Sequence, residues 1–357
     1  MSDQRMPIER DAMTSQSDHS GTVSQPEGQE ATPPAQVNRA AEIPPPSEEM
    51  GAEPDSAAGE AKAASPRQTL RYLRDLLAAH GIQAKNKLGQ SFLIDLNLLD
   101  LLVRSAELDR RDAVLEVGTG TGSLTAQLAD QAGAVVTIEI DPALAAIAQQ
   151  VVGPRPHVRF LQGDALANKN QMNPQLLASW DEMAQAFSCS RRKVVANLPY
   201  VIAAPVISNL LIAREDIERF VVMVQWEIAE RLRAEVGSKD YNALSILVQS
   251  LAEVEVIRKV APSNFFPRPQ VDSAIVRIRP DPARRARVGD VPRFRAYLRD
   301  LFVHRRKNLR QALTGWPRGR QDKATVDARL RALGIDGQAR AEDLTIEQHL
   351  RLCEVFG

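Results

Sequence analysis

The residues best equipped for chemistry are Asn197-Leu198-Pro199-Tyr200, directly after the apolar run Val194–Ala196. An exocyclic amine on a nucleobase is a poor nucleophile, because its lone pair is delocalised into the ring. The Asn197 side-chain oxygen and the Leu198 carbonyl can each accept one N–H of such an amine and localise that lone pair. Pro199 fixes its own φ and holds the turn. Tyr200 can stack on the base, a contact worth about 1–3 kcal/mol. Little is asked of a general base, since the alkylated amine is cationic and loses its proton to water afterwards. Positioning and electrostatics would supply the rate. The same four residues also suit a helix-entry turn, with Asn as cap and Pro in the first turn.

A second constellation lies upstream. Val114-Leu115-Glu116-Val117 reads as a buried strand, Gly118-Thr119-Gly120-Thr121-Gly122 as a turn, and Ser123–Ala129 as the start of a helix. Strand, glycine turn and helix bring backbone N–H groups against a ligand. Glycine allows close approach and positive φ. About 20 residues on, the strand Val135–Glu139 ends in a carboxylate, the spacing of an acid that accepts from a ribose diol. Sites for NAD read G-x-G-x-x-G, whereas here the third glycine comes one residue early. Glu116 also stands two residues before the first glycine. Both features favour a ligand with an amino or cationic group, such as S-adenosylmethionine, over a pyrophosphate. A glycine-rich turn without a ligand is the alternative. Asp164, after Phe160-Leu161-Gln162-Gly163, can accept from an adenine amino group or cap the next helix.

These residues must be positioned by an alternation of strands and helices. Strands are expected near 114–117, 135–139, 158–161, 193–196 and 219–225. Helices are expected near 123–131, 142–150, 203–213 and 226–235. Apolar strands alternating with helices predict a parallel sheet covered on both faces, with functional residues at the strands' C-terminal ends. Glu253–Val260 and Ser273–Arg279 alternate and can pair antiparallel at the sheet edge. Further helices are expected at Thr69–His80, capped by Gly81, at about Leu96–Ala106, and at 241–251. The polar connection 168–192 is long and has room for a helix near Gln175–Phe187. The stretch Lys85–Asp95 reads as a loop over the cofactor or as a plain connector.

The chain has 357 residues and a formal net charge of zero. That average hides an asymmetry. Residues 1–68 hold 12 acids and 5 bases, with nine prolines and no Phe, Trp or Tyr, so the remainder carries 40 bases and 33 acids. Such a tail cannot bury enough apolar surface to offset its ordering entropy and is expected to be disordered. Two cysteines do not make a disulfide framework or a zinc site, and suggest a reducing compartment. No apolar run reaches the ~20 residues of a membrane span, and no secretory signal is evident. A cytoplasmic location is the expectation.

Residues 284–320 carry 12 bases against 2 acids, centred on Arg305-Arg306-Lys307-Asn308-Leu309-Arg310. Leu298, Leu301, Phe302, Leu309 and Leu313 keep helical spacing, so these bases are expected on amphipathic helices. The excess favours phosphate contacts, with Arg305, Arg306, Lys307 and Arg310 as candidates, over a merely solvated face. Helices near 323–333 and 345–356 close the chain. The division expected is a tail at 1–68, an α/β domain at 69–283 and a small helical domain at 284–357.

In these segments the chain resembles the ribosomal RNA adenine N6,N6-dimethyltransferases of the KsgA/RsmA type. The resemblance covers roughly residues 69–357. It is carried by Lys87-Leu88-Gly89-Gln90-Ser91-Phe92-Leu93, Glu116-Val117-Gly118-Thr119-Gly120, Glu139-Ile140-Asp141, Gly163-Asp164-Ala165, Asn197-Leu198-Pro199-Tyr200, Phe265-Phe266-Pro267-Arg268-Pro269-Gln270-Val271-Asp272-Ser273 and Phe302-Val303-His304-Arg305-Arg306-Lys307-Asn308-Leu309. It implies a Rossmann-like class I methyltransferase sheet, mostly parallel with an antiparallel edge strand, and a C-terminal helical domain that contacts RNA. It implies S-adenosylmethionine as cofactor, no metal, a monomer, and dimethylation of two adjacent adenosines in the 3′-terminal hairpin of 16S rRNA in immature 30S subunits. By carry-over, Ser91 and Leu93 close over the cofactor, and Gly118 and Gly120 lie under it. Glu139 takes the ribose, Asp164 the adenine, and Asn197 spans cofactor and target amine. Phe265 or Phe266 is the second aromatic wall for the flipped base, whose extrusion costs a few kcal/mol. Ser91 stands where the family usually has Asn, and Gly-Thr-Gly where Gly-Pro-Gly is commoner.

Two other readings remain at this point. A related methyltransferase of the macrolide-resistance type, acting on a 23S rRNA adenine, shares the cofactor and amine motifs. A non-catalytic RNA-binding assembly factor would keep the fold with degenerate cofactor residues, whereas Gly118, Glu139, Asp164 and Asn197 are all present.

Overall fold

The computed structural model describes residues 70–81, 91–316, 319 and 321–357. The expected disordered tail and the Lys85–Gln90 part of the expected loop lie outside the described residues.

Seven strands form the main sheet: β1 (Asp112–Val117), β2 (Ala134–Glu139), β3 (Val158–Gln162), β4 (Arg191–Asn197), β5 (Ile217–Gln225), β6 (Ala252–Val260) and β7 (Ser273–Pro280). Their order is β3-β2-β1-β4-β5-β7-β6. The first five run parallel, and β7 pairs antiparallel with both β5 and β6. The antiparallel pair expected at the edge is therefore present, and the strand that runs against the others is its inner member. All six residues of β1 and of β2 are buried, as a parallel sheet covered on both faces requires.

The helices are α1 (Leu70–Ala79), α2 (Leu96–Ser105), α3 (Ser123–Gln131), α4 (Pro142–Val152), α5 (Pro174–Ala186), α6 (Ala203–Ala213), α7 (Trp226–Leu232), α8 (Ala243–Gln249), α9 (Pro282–Val288), α10 (Val291–Phe302), α11 (Leu309–Thr314), α12 (Lys323–Ala332) and α13 (Ile346–Phe356). The period of two along each strand divides them between two faces. Val114, Val195, Val221 and Ile275 pack with apolar residues of α2 and α3. Leu115, Val194, Phe220 and Val276 pack with α5, α6, α8 and the helices after residue 290 in one continuous cluster. The long connection 168–192 is thus a covering layer. Leu176, Trp180, Met183 and Ala184 bury one stripe of α5, and the Trp180 indole N–H donates to the Ala113 carbonyl at 3.1 Å.

One expectation about the basic region changes. Arg305, Arg306 and Lys307 do not lie on a helix but in the turn between α10 and α11. The break is dictated by Asn308, whose side chain accepts the Gln311 N–H at 3.0 Å and caps α11.

At the N-terminal ends of the strands, buried Asp112 receives Arg191 Nε at 2.7 Å and Lys193 Nζ at 3.2 Å, and Lys193 also donates to the Glu107 carbonyl at 2.7 Å. Two charges stitch β1 to β4 there. The opposite rim is left to function.

Candidate active site

The sheet order reverses between β1 and β4, and a cavity opens at the C-terminal ends of the strands there, where open α/β sheets bind ligands. It holds about 220 Å³ of water-accessible space. Ser91, Leu93, Gly118, Gly120, Glu139, Asp164 and the whole turn Asn197–Tyr200 line it. Ser91 and Tyr200, 109 positions apart in sequence, are thereby brought together.

The glycine turn is shaped by its neighbours. Gly118 has φ +86°, and its N–H donates to the Ile138 carbonyl at 2.9 Å. A Cβ there would stand 2.9 Å from Cδ of Pro199. Gly120 has φ +57°, and a Cβ there would approach the Phe92 ring to 3.3 Å. Both positions need glycine for conformation and for close approach. The two turns that the sequence singles out are therefore in direct contact.

Asn197 ends β4. Its Nδ2 donates to the Ser91 carbonyl at 3.1 Å. A carbonyl only accepts, so the amide's orientation is set and Oδ1 is the atom left to accept from a ligand. The Leu198 N–H donates to the Met223 carbonyl at 3.1 Å, which anchors the turn to β5. Tyr200 Oη lies 2.7 Å from Ser273 Oγ, and burial pushes the phenol's pKa up. Ser91 Oγ donates to the Pro267 carbonyl at 3.0 Å. Ser91 thus reaches Asn197 through its backbone while its side chain holds the segment after Phe266. No motif or spacing signals that link.

Three carboxylates line the cavity, and no Lys, Arg or His does among the described residues. Glu139 Oε2 accepts the Gly120 N–H at 2.9 Å and Oε1 the Asp141 N–H at 3.0 Å, while burial raises its pKa. Each oxygen keeps a further lone pair for a diol. Asp164 is exposed, and its Oδ1 accepts the Leu166 N–H at 2.9 Å. Glu116 shares the face of Val114 and meets α3, where Thr125 Oγ1 donates to its Oε2 at 2.6 Å. Its Oε1 is buried without a hydrogen-bond partner. Burial pushes this carboxyl up to about 8, and the Glu139 charge adds to the shift. An acidic, cation-free cavity with an orphaned buried oxygen is complementary to a positively charged ligand. Ile140, 49% exposed, adds apolar surface at the mouth beside Glu139. Sequence reasoning gave it no role of its own, because the sequence does not show that an apolar residue after a strand-terminal acid stays exposed.

Phe265 and Phe266 are placed differently from the rest. They pair with Leu93 and Phe92 in a two-residue ladder, and neither lines the cavity. Phe265 is buried in the α2–α3 face. Phe266 packs toward Leu73 and Leu77 of α1, and the Arg74 guanidinium lies 5.2 Å from its ring centroid. The four basic candidates also divide. Arg305 Nε pairs with Glu342 at 2.6 Å and its Nη2 donates to the Lys239 carbonyl at 2.7 Å. Arg310 is ion-paired with Asp327. Arg306 and Lys307 are exposed, and no ion pair holds them among the described residues. None of the four lies at the cavity.

A sheet of order 3-2-1-4-5-7-6 with a glycine turn after its first strand, an acid ending its second, and a cavity at that rim defines a class I, Rossmann-like methyltransferase. A model of the family described as ribosomal RNA adenine dimethylase matches residues 81–357. The chain belongs to that family. It is 37% identical over 276 residues to ribosomal RNA small subunit methyltransferase A of Halothermothrix orenii, covering 77% of this chain and 88% of the relative. Among solved structures, a dimethyladenosine transferase from Plasmodium falciparum matches with a TM-score of 0.58 and 26% identity, over 73% of this chain and 95% of the other. The 23S rRNA methyltransferase ErmE matches with a TM-score of 0.52 and 27% identity, over 74% and 99%.

Proposed function

We propose that this protein is an S-adenosylmethionine-dependent rRNA adenine N6,N6-dimethyltransferase acting on two adjacent adenosines in the 3′-terminal hairpin of 16S rRNA, in immature 30S subunits. The observation that carries the reading is the orientation of Asn197, fixed by the Ser91 carbonyl at 3.1 Å, beside the Gly118 turn. The name of the Halothermothrix relative points to the small subunit.

The cavity fits the cofactor by charge and by shape. Bound S-adenosylmethionine supplies an electrophilic methyl group on a sulfonium. Glu139 would accept from the ribose, Asp164 from the adenine amine, and Ile140 would cover a face of that base. Gly118 and Gly120 leave room beneath the ligand, and Leu93 closes over it. Asn197 Oδ1 and the Leu198 carbonyl would each accept one N–H of the target amine, turning its lone pair toward the cofactor side. Tyr200 would stack on the flipped base. Neither Phe265 nor Phe266 is needed for this arrangement as it stands. Arg306 and Lys307 would meet phosphates on the helical part that follows residue 283. The enzyme would act as a monomer in the cytoplasm, where assembling subunits reside. Among the described residues no helix is long and apolar enough to cross a membrane.

The test is incubation with methyl-labelled cofactor and separated 30S and 50S particles from a strain lacking the modification, followed by mapping of the label. Two adjacent dimethylated adenosines in 16S rRNA are expected. Label confined to 23S rRNA would transfer the reading to the activity in ErmE's name, and binding without label would make the protein an assembly factor.

A further inference from the structure

Trp226 is set apart from the protein's other tryptophans. Trp180 and Trp316 are 0% and 3% exposed, whereas Trp226 is only partly buried. It opens α7 immediately after β5, at the rim that carries the cavity. Its backbone N–H donates to the Asp272 carbonyl at 2.9 Å. The neighbouring Gln225 is paired across the sheet with Ser273, which Tyr200 contacts through its hydroxyl at 2.7 Å. Trp226 is therefore one chain position beyond the strand partner of the base-stacking residue's anchor.

Two cations attend the indole. Lys259 Nζ lies 4.5 Å and Arg233 Cζ 5.6 Å from the ring centroid. Lys259 is half-exposed and pairs with Asp272 at 2.9 Å. Arg233 is exposed, and no ion pair holds it among the described residues. The loop after α7 then leads to the basic turn: the Lys239 carbonyl accepts from Arg305, and the Gly237 N–H donates to the Glu342 carbonyl at 2.9 Å. An aromatic with adjacent cations thus stands at the sheet rim that carries the cavity, on an element whose following loop is hydrogen-bonded to Arg305 of the turn that holds Arg306 and Lys307. Aromatic faces with neighbouring Lys and Arg are what single-stranded nucleic acid uses for stacking and phosphate contact.

We propose that Trp226, with Arg233 and Lys259, is a docking platform for a nucleotide of the RNA strand flanking the target adenosine, on the route from the cavity to the turn at 303–307. This rests on the RNA-methylating reading given above. Arg233 meets the strand's phosphates, Lys259 stays paired with Asp272 at the platform's edge, and the base packs against the indole as Arg233 leaves it. The surface sets affinity for RNA and leaves the cofactor and the methyl transfer step untouched.

The test uses the full chain, S-adenosylhomocysteine and an RNA oligonucleotide of the 16S 3′-terminal hairpin. Tryptophan emission of the wild type is compared with that of Trp226→Phe, which leaves only the buried pair. RNA is expected to quench a component that Trp226→Phe lacks. Trp226→Ala is expected to weaken RNA binding about 5- to 100-fold and raise KM for RNA, with kcat at saturating RNA retained. Trp226→Phe restores most of the affinity, and cofactor affinity is equal in all three proteins. Unquenched emission with unchanged RNA affinity, in a protein that methylates RNA, overturns the platform alone. Failure of the wild type to bind or methylate any RNA overturns the functional reading, and the platform with it.

Discussion

The ring of Pro199 lies against the α-carbon of Gly118, so close that a Cβ at residue 118 would stand 2.9 Å from the proline Cδ. On the proposed reading one turn would hold the cofactor and the other the amine, and their contact would set the distance between donor and acceptor. Gly118→Ala must therefore move one turn relative to the other, and it also places a side chain at φ +86°. We expect methyl transfer to fall by about 10²-fold, the effect of roughly 1 Å of misplacement. The fold should survive, with a lowered thermal midpoint. Single-turnover rates at saturating cofactor and RNA check this, and an unchanged rate would show that the two turns adjust independently.

Asn197→Ala removes the carboxamide while leaving the Leu198 carbonyl in place. Loss of one oriented hydrogen-bonding group at a reacting centre costs about 10²–10³-fold in rate. Cofactor affinity should be retained, because Gly118, Glu139 and Asp164 are untouched. Isothermal titration with cofactor, beside turnover on 30S particles, separates the two. Equal losses in both would mean that Asn197 serves the cofactor alone.

That Gly118, Glu139 and Asn197 would meet at one cavity was legible in the sequence because the signals are local. Glu139 ends a strand whose apolar pattern is plain, and Asn197 ends another. A parallel sheet then has to bring such ends to one rim. What escaped was pairwise and distant. Asp327 claims Arg310 from 17 positions away and Glu342 claims Arg305 from 37. A charge run does not announce its intramolecular partners. Asn308 caps α11, and the helical spacing of the flanking leucines hides the turn that precedes it. Phe265 and Phe266 follow each other on a strand and must face opposite ways, so they cannot both serve one wall.

The division among the basic residues has a measurable consequence. Neutralising Arg306 and Lys307 together should lower the slope of log affinity against log salt by about 0.7–0.9 for each phosphate that these side chains had neutralised. Arg310→Gln should leave that slope unchanged, because its guanidinium is committed to Asp327. Binding of 16S hairpin RNA at several salt concentrations checks both. A flattened slope for Arg310→Gln alone would place the phosphate-binding charge on the wrong side of the turn.

The opposite rim predicts stability without function. Asp112 is 0% and Lys193 1% exposed, and the pair joins β1 to β4. Asp112→Ala leaves the buried Lys193 ammonium only the more distant Glu218 at 3.8 Å, and breaking such a buried pair costs up to about 3–5 kcal/mol. Denaturant unfolding should register that loss. Below its melting range the variant should keep its turnover, since the cavity lies at the other ends of the same strands.

Glu116 gives the protein a stability that depends on pH in a definite sense. Its carboxyl is raised from 4.5 to about 8, chiefly by burial. Between those values the unfolded chain has lost the proton that the folded protein keeps. The folded state therefore binds more protons, and stability falls as pH rises through that interval. The contribution is fully present below about 4.5 and lost above about 8. Glu116→Gln holds no such proton and should flatten the slope, so the variant gains on the wild type as pH rises. Glu139, raised by burial in the same direction, leaves part of the slope behind. Unfolding of the cofactor-free protein in denaturant at several pH values measures this. An identical slope in Glu116→Gln would mean that Glu116 is already ionised in the folded protein, and the cavity would then hold its negative charge before any ligand arrives.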